Sequence, residues 1–486
     1  MTMYTVDTLE TYFSAFRANI IGQQVYFNTP FGRKRLLYAD WTASGRAYGP
    51  IEARLQEILP YYANTHTEAT VTGTLMSAAY ERAREVIKEH VGAREDDALI
   101  FCGSGMTAAV NKLQRILGLR LPERVSEYME ISEPSEESRP LVLVTHMEHH
   151  SNHISWLETL ATVEMVPPGE DGGVDVENFR KVLARYRARR IKIAAVTACS
   201  NVTGIETPYR EIARVMHECG GWCFVDFACS APYVKMDMRE LDAIYFSMHK
   251  FLGGPGTPGV LVFNRKLYAN RVPDQPGGGT LLYSTPWKEF AYLNWIEHRE
   301  DGGTPPILQG IKAALCIRLK EEMGVDRMLK REAEIVSRLL DRLSVIEGLE
   351  ILAADRRKRL GVISFLVKDA HYQVVVRLLN DRFGIQTRGG CSCAGSYGHF
   401  LLGIDRERSH QIISLLEAGE MWSKPGWVRV SLHPTMSDTE VEELAEAIQL
   451  TVENYAEWSK DYAFDHTCHD VYGEIAESWL GRLGGA

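Results

Sequence analysis

Apolar and polar positions change rhythm along this chain, and the changes mark its elements. In SAAYERAREVIKEHVG, 77–92, Ala79, Ala83, Val86, Ile87 and Val91 recur near helical spacing and Gly92 closes the pattern, which predicts a helix. An apolar strand follows at 98–101. Similar runs come at 141–144, 163–166, 193–196, 223–225, 243–246 and 260–263, separated by stretches of helical character. Strands apolar along their whole length, alternating with helices, predict an α/β fold whose mainly parallel seven-stranded sheet is covered on both faces. The seventh strand follows the sixth too closely for a crossover helix and is expected to be antiparallel. This large domain is expected over 61–320.

Beyond Gly303, Thr304, Pro305 and Pro306 the rhythm is that of long helices, Ile307–Met323 and 327–346, and then of strands at 362–367 and 427–432 alternating with helices. SDTE at 437–440 is a capping box that opens a last helix running to about Trp458. Residues 1–60 hold a helical start at 8–18 and a short strand at 36–39, too little for a domain of their own. They are expected to complete a smaller α+β domain with 321–486. The segment SEPSEESR, 132–139, is polar, acidic and broken by proline, and is expected to be a mobile insertion.

Composition acts mainly by exclusion. A chain of 486 residues, 45% hydrophobic and 24% charged, is an ordinary soluble protein of two or three domains. Its formal charge of -10 argues against nucleic acid as a partner, and the basic run RYRARR at 185–190 falls where a helix end is expected. No apolar stretch approaches the roughly eighteen residues of a membrane span, and the N-terminus lacks the blocks of a secretory signal. A cytoplasmic protein with no membrane partner is expected. Nine cysteines, an odd number without framework spacing, are expected to be free thiols.

Candidate chemistry centres on YFSMHKFLGGPGTPGVLVF, 245–263, where Lys250 falls between two apolar strands ahead of a Gly/Pro-rich turn. A lysine held at a strand end in an apolar pocket has a lowered pKa, which brings the neutral amine of Schiff-base chemistry within reach. A surface lysine in a loop is the plain alternative. The strand at 98–101 runs into CGSGMT, 102–107, and a helix, a turn whose amides can cradle a phosphate, although any tight strand-to-helix turn favours glycine. Asp226 ends the strand WCFVD, where a carboxylate needs a partner. A protonated ring nitrogen suits it, and so does a helix cap or an arginine. The three groups fall on one sheet edge, and together they are the holds that pyridoxal phosphate requires.

With these residues the chain resembles, over about 36–450, the fold-type I pyridoxal-phosphate enzymes of the class V aminotransferase group. It is most similar to the group II cysteine desulfurases and selenocysteine lyases, in the motifs MEHHSN at 147–152, SNVTG at 200–204, VDFACSAP at 225–232, SMHK at 247–250, GGTP at 302–305 and WVRVS at 427–431. The resemblance implies that Lys250 forms the Schiff base, Asp226 pairs with the ring nitrogen and His149 stacks on the ring. It implies a phosphate held by Gly105, Met106, Ser247 and His249, with Thr304 reaching the neighbouring subunit's site in a homodimer. Asn201 is implied near the cofactor oxygen or the substrate, and Arg429 on the substrate carboxylate. Without the family, His149 and His150 read equally as a metal pair or core histidines, and Arg429 as a strand salt bridge.

The loop GIQTRGGCSCAGSYGH, 384–399, carries Cys391 and Cys393, with Arg388 five residues before the second. Aligned on that arginine, Cys393 falls where group II desulfurases carry their nucleophile, and a neighbouring cation favours the thiolate. A redox pair or small loop residues are the other readings, and the Cys-X-Cys spacing speaks against zinc, so no metal is expected. Departures from the family touch reaction choice. Cys229 stands where a glutamine usually bonds the cofactor, Cys391 and Ser392 replace a histidine pair as in molybdenum cofactor sulfurases, His66 and Thr67 replace a His-Arg pair, and 395–426 is longer than the family needs. The expected function is desulfuration of L-cysteine to L-alanine through a persulfide on Cys393, passed to a sulfur-acceptor protein. An aminotransferase or a C–S or C–Se lyase on another amino acid is the alternative, and a non-catalytic sulfur-carrier scaffold a remote one.

Overall fold

The computed structural model describes residues 8–462 except 66, 68 and 133. The chain forms two compact units, a larger one of Ser44–Ser200 with Glu206–Val325 and a smaller one of Met1–Ala43, Asn201–Ile205 and Asp326–Ala486. His66 and the tail from 463 lie outside the described residues.

The larger unit is organised on a seven-stranded sheet of β1 (Asp97–Cys102), β2 (Leu141–Thr145), β3 (Thr162–Val166), β4 (Lys192–Thr197), β5 (Trp222–Asp226), β6 (Ala243–Ser247) and β7 (Gly259–Asn264). Their spatial order is β1-β7-β6-β5-β4-β2-β3. Neighbours from β6 through β3 are parallel, and β7 is antiparallel to both β6 and β1. The seventh strand therefore turns back as its short connection requires, and the C-terminal ends of β1, β5 and β6 share one edge.

Every residue of β1, β2, β4, β6 and β7 is buried, because helices cover both faces. Ala109, Val110 and Leu113 of helix Met106–Ile116 belong to one core cluster with Ile100, Leu261 and Phe263. On the other face Tyr80 of helix Val71–His90 meets Phe101, ring centroids 5.5 Å apart. Gly310 of helix Ile307–Met323 lies so close that an added Cβ would stand 2.9 Å from the Tyr80 ring.

The smaller unit holds a four-stranded antiparallel sheet in the order β8 (Leu349–Ile351), β9 (Val362–Val367), β11 (Trp427–Ser431), β10 (Arg388–Gly390). Helices Tyr372–Phe383 and Asp438–Trp458 accompany it. The capping box forms with both arms: Glu440 N–H donates to Ser437 Oγ at 3.0 Å and Ser437 N–H to Glu440 Oε2 at 3.0 Å. The long segment 395–426 folds as helices Gly395–Leu401 and Arg406–Glu417 and a short 3-10 turn.

The unit boundary falls at 43/44 instead of 60. Residues 44–60 pack with the larger unit, where Glu52 pairs with Lys312 at 2.6 Å and Gly45 N–H donates to the His249 carbonyl at 2.9 Å. Asn201–Ile205, which holds all of the SNVTG strap but Ser200, belongs in turn to the smaller unit. Ser364 Oγ donates to the Val202 carbonyl at 2.7 Å and Leu360 N–H to the Gly204 carbonyl at 2.8 Å. The acidic segment at 132–139 is tied by Glu136 to the buried Arg189, which also donates to the Arg139 carbonyl at 2.8 Å. Among the described residues no helix is long and apolar enough to cross a membrane.

Gly204 is left-handed at φ 71°, and a Cβ there would stand 2.5 Å from the Leu360 carbonyl oxygen. Gly204→Ala is expected to cost about 2 kcal/mol or more, from left-handed strain plus a clash with backbone that cannot rotate away. Gly220, at φ 66° with nothing within 4 Å, is the control and loses about 1 kcal/mol. Side-by-side denaturation decides it, and equal losses would show that Leu360 does not crowd the strap.

Candidate active site

The C-terminal edge of the larger unit's sheet gathers most of the expected cofactor residues. β1 passes through Gly103 to Gly105 into helix Met106–Ile116, whose first amide, Met106 N–H, donates to Ser247 Oγ at 2.8 Å. His249 Nδ1 donates to the Ser104 carbonyl at 3.0 Å, since a carbonyl only accepts. A Cβ on Gly105 would stand 3.0 Å from Ser247 Oγ and 3.1 Å from His249 Cε1. The glycine thus leaves a cup floored by the Ser247 hydroxyl, which can still donate, and by the helix N-terminus, a setting suited to a phosphate, while His249 spends the proton of its neutral ring on Ser104. Burial, with the charge of Lys250 added, lowers the His249 pKa.

Lys250 ends the turn Met248–Lys250 that follows β6 and is half-buried. The Ser44–Arg46 segment holds its neighbours: Ser44 Oγ donates to the His249 carbonyl at 3.2 Å, and Gly253 N–H donates to the Arg46 carbonyl at 2.7 Å. Asp226, the last residue of β5, is buried, and burial pushes its pKa up to about 6 against the pull of the Ala228 amide, 2.8 Å from Oδ1, and of the Lys250 charge. A carboxylate so placed is stabilised by a cationic ligand, which is what a protonated ring nitrogen is.

His149 caps helix His150–Leu157, its Nδ1 accepting from Ser151 N–H at 3.1 Å, so a neutral ring carries its proton on Nε2. Cys229 is buried, and its thiol donates to the Ser200 carbonyl at 3.6 Å. Thr304 is exposed and accepts from Asn64 Nδ2 at 2.9 Å.

Sequence reading passed over Glu148, the residue before His149. Its carboxylate accepts from Thr145 Oγ1 at 2.6 Å, Thr145 N–H at 3.2 Å, Thr197 N–H at 3.0 Å and Asn152 Nδ2 at 2.7 Å. Burial raises its pKa to about 7 even so. Its place in MEHHSN was the available signal.

The smaller unit holds the other expected residues. Arg388 of β10 and Arg429 of β11 lie directly opposite one another, an arrangement that repels unless a counter-ion intervenes. Asp40 intervenes: its Oδ1 is 2.9 Å from Arg429 Nη2 and its Oδ2 2.9 Å from Arg388 Nη2. The side chains are 3% exposed at Arg429, 11% at Asp40 and 48% at Arg388, so the accessible end of this trio is Arg388. Arg429 Nη1 also donates to the Asn201 carbonyl at 3.0 Å, while its Nε is buried without a hydrogen-bond partner.

Asn201 sits in this unit, and its Nδ2 donates to the Ser392 carbonyl at 2.7 Å. Beyond Ser392, Cys393 is exposed, Cys391 is half-buried, and the described cysteines are all free thiols. Asp40 was not anticipated, because a strand-end aspartate in YAD carries no mark of two arginines far along the chain.

This chain belongs to the family described as "Aminotransferase class-V", which matches residues 37–444. It is 34% identical over 371 residues to a Halalkalibacterium halodurans protein named "Probable cysteine desulfurase", covering 74% of this chain and 84% of that one. A Staphylococcus aureus protein of the same name is 30% identical over 372 residues, with the same coverage. The fold is that of the cysteine desulfurase from Thermococcus onnurineus NA1, with a TM-score of 0.72 at 23% identity over 90% of this chain and 98% of that one. It is equally that of the cysteine desulfurase CsdA from Escherichia coli, with a TM-score of 0.71 at 20% identity over 91% and 98%.

Asp226 binds its proton more tightly folded than unfolded, so its contribution to stability falls as pH rises from about 4 to about 6. Above pH 6 the folded, cofactor-free protein carries a penalty of about 3 kcal/mol from this group. Asp226→Asn is therefore expected to raise the melting temperature of the cofactor-free protein by several degrees at pH 7.5, with the gain shrinking toward pH 4. A variant that melts lower at pH 7.5 would show that Asp226 already has its counter-charge within the chain.

Proposed function

We propose that this chain is a pyridoxal-phosphate-dependent cysteine desulfurase that moves sulfur from L-cysteine to Cys393 and releases L-alanine. The observation that carries the step from cofactor enzyme to desulfurase is Cys393, an exposed thiol on a tight turn that follows the strand bearing Arg388. A redox pair buried in a core would not be presented this way. The names of the relatives support the same reading.

Cofactor binding is supported by the Gly105 cup for a phosphate, by the buried Asp226 for a protonated ring nitrogen, by His149 for the ring face and by Lys250 for the aldehyde. Pyridoxal phosphate, when bound, supplies an aldehyde for the lysine and an electron sink for the substrate α-carbon. The remaining work falls to the chain. Arg388 and Arg429 keep one net positive charge after pairing with Asp40, which suits the substrate carboxylate. Lys250 Nζ takes the α-proton and returns a proton to carbon. Cys393 thiolate attacks the substrate sulfur, and the S–S bond forms as the C–S bond breaks, its electron pair passing to the substrate carbon. That carbon is reduced as the two sulfurs reach the persulfide level, so the step needs no external oxidant. A thiol of an acceptor protein then takes the outer sulfur by exchange. The working form is a cytoplasmic homodimer to which exposed Thr304 contributes.

With L-cysteine and a reductant, the wild type is expected to yield alanine and sulfide, Cys391→Ala to retain this, and Cys393→Ala to lose it by about a hundredfold or more. A visible band at about 420 nm accompanies the wild type and is absent from Lys250→Ala. Pyruvate or a keto acid formed equally by Cys393→Ala would instead establish a lyase or an aminotransferase in which Cys393 takes no part. A colourless, inactive wild type would leave the non-catalytic scaffold.

A further inference from the structure

The turn that carries Cys393 is one that serine and cysteine ordinarily avoid. Ala394 N–H closes it on the Cys391 carbonyl at 3.0 Å, and both residues between are left-handed, Ser392 at φ 51° and Cys393 at φ 55°. Hydrogen-bonded turns with two left-handed central residues favour Asn-Gly or Gly-Gly, because a Cβ crowds the following carbonyl in that conformation. Two such residues in succession persist only where their surroundings impose them.

Asn201 is placed to impose it. Its Nδ2 donates to the Ser392 carbonyl at 2.7 Å, and the carbonyl, which only accepts, fixes which end of the amide faces it. The Asn201 backbone is itself immobilised, its carbonyl accepting from Arg429 Nη1 at 3.0 Å and the strap behind it bonded at Val202 and Gly204. The Ser392 hydroxyl is buried without a hydrogen-bond partner, so the serine side chain adds nothing that holds the turn.

We propose that Asn201 is a positioning residue for the nucleophile: its amide clamps the Ser392 carbonyl and holds the left-handed turn that presents Cys393. The clamp lies wholly within the smaller unit and acts through Ser392, with no requirement that Asn201 touch cofactor or substrate. Its catalytic consequence rests on the desulfurase reading, whereas its structural content does not.

The test compares wild type, Asn201→Ala, Ser392→Gly and the double variant. In cofactor-free protein, hydrogen exchange over 388–398 reads the turn. In loaded protein, mass spectrometry reads the first-turnover persulfide on Cys393. Removing the clamp is expected to speed exchange and to slow persulfide formation by about tenfold, the scale of one buried hydrogen bond. Adding Ser392→Gly, which makes the left-handed conformation free of steric cost, is expected to restore both to within about twofold. Unchanged exchange in Asn201→Ala overturns the clamp. So does a persulfide loss that Ser392→Gly leaves unrescued, since a direct role on substrate or cofactor would not respond to turn strain. Should Asn201→Ala melt well below wild type, the isosteric Asn201→Asp, which sets an acceptor against the Ser392 carbonyl, is read in its place with the same two outcomes. A wild type that forms no persulfide removes the function proposed above, while the exchange measurement still decides the clamp.

Discussion

A buried carboxylate at the end of a central strand is the constraint on which the larger unit depends. Asp226 is buried between strands that are themselves buried, and that burial raises its pKa against the pull of the Ala228 amide and the Lys250 charge. A core of this size tolerates it, since the covered sheet buries far more apolar surface than one ion requires. The edge is then pre-set for a cation, and what surrounds Asp226 extends the theme. Glu148, a second buried acid on the same edge, is surrounded by four donors and pins the ends of β2 and β4 to the helix that His149 caps.

The smaller unit meets the opposite problem with the same economy. Two arginines opposed across a strand pair are held by one aspartate from near the N-terminus. That arrangement explains why the N-terminal segment joins this unit: Asp40 supplies the charge without which Arg388 and Arg429 would repel, and Ser431 N–H anchors it by donating to the Ala39 carbonyl at 2.7 Å. The trio also fixes Asn201 through Arg429, so the two arginines and the turn that carries Cys393 draw on one connected set of hydrogen bonds.

Much of the sheet was legible in the sequence because fully buried strands are apolar throughout, which no solvent-facing strand can be. The antiparallel return of β7 followed from connection length alone. What escaped notice were short pieces with little apolar content, such as Leu349–Ile351, Arg388–Gly390 and the hairpin of Tyr26–Thr29 with Gly32–Arg35, whose pairing is decided by distant partners. The unit boundary was misplaced for the same reason: helix Gly49–Ile58 carries no local mark that it packs with the larger unit, and five residues of SNVTG and its successor cannot announce that they cross to the smaller one.

By itself the sequence determined the fold class, the lysine, aspartate and glycine turn of one sheet edge, and the cysteine that follows Arg388. Those depend on hydrophobic period, on glycine where a Cβ would clash and on motif spacing, all of which are written locally. Tertiary structure alone decided that Asp40 sits between two arginines, that Asn201 faces the Ser392 carbonyl, and that Ser392 and Cys393 are left-handed. The first two join residues 191 to 389 positions apart and the third is backbone strain within one loop, and none of them exists until the chain has brought its members together.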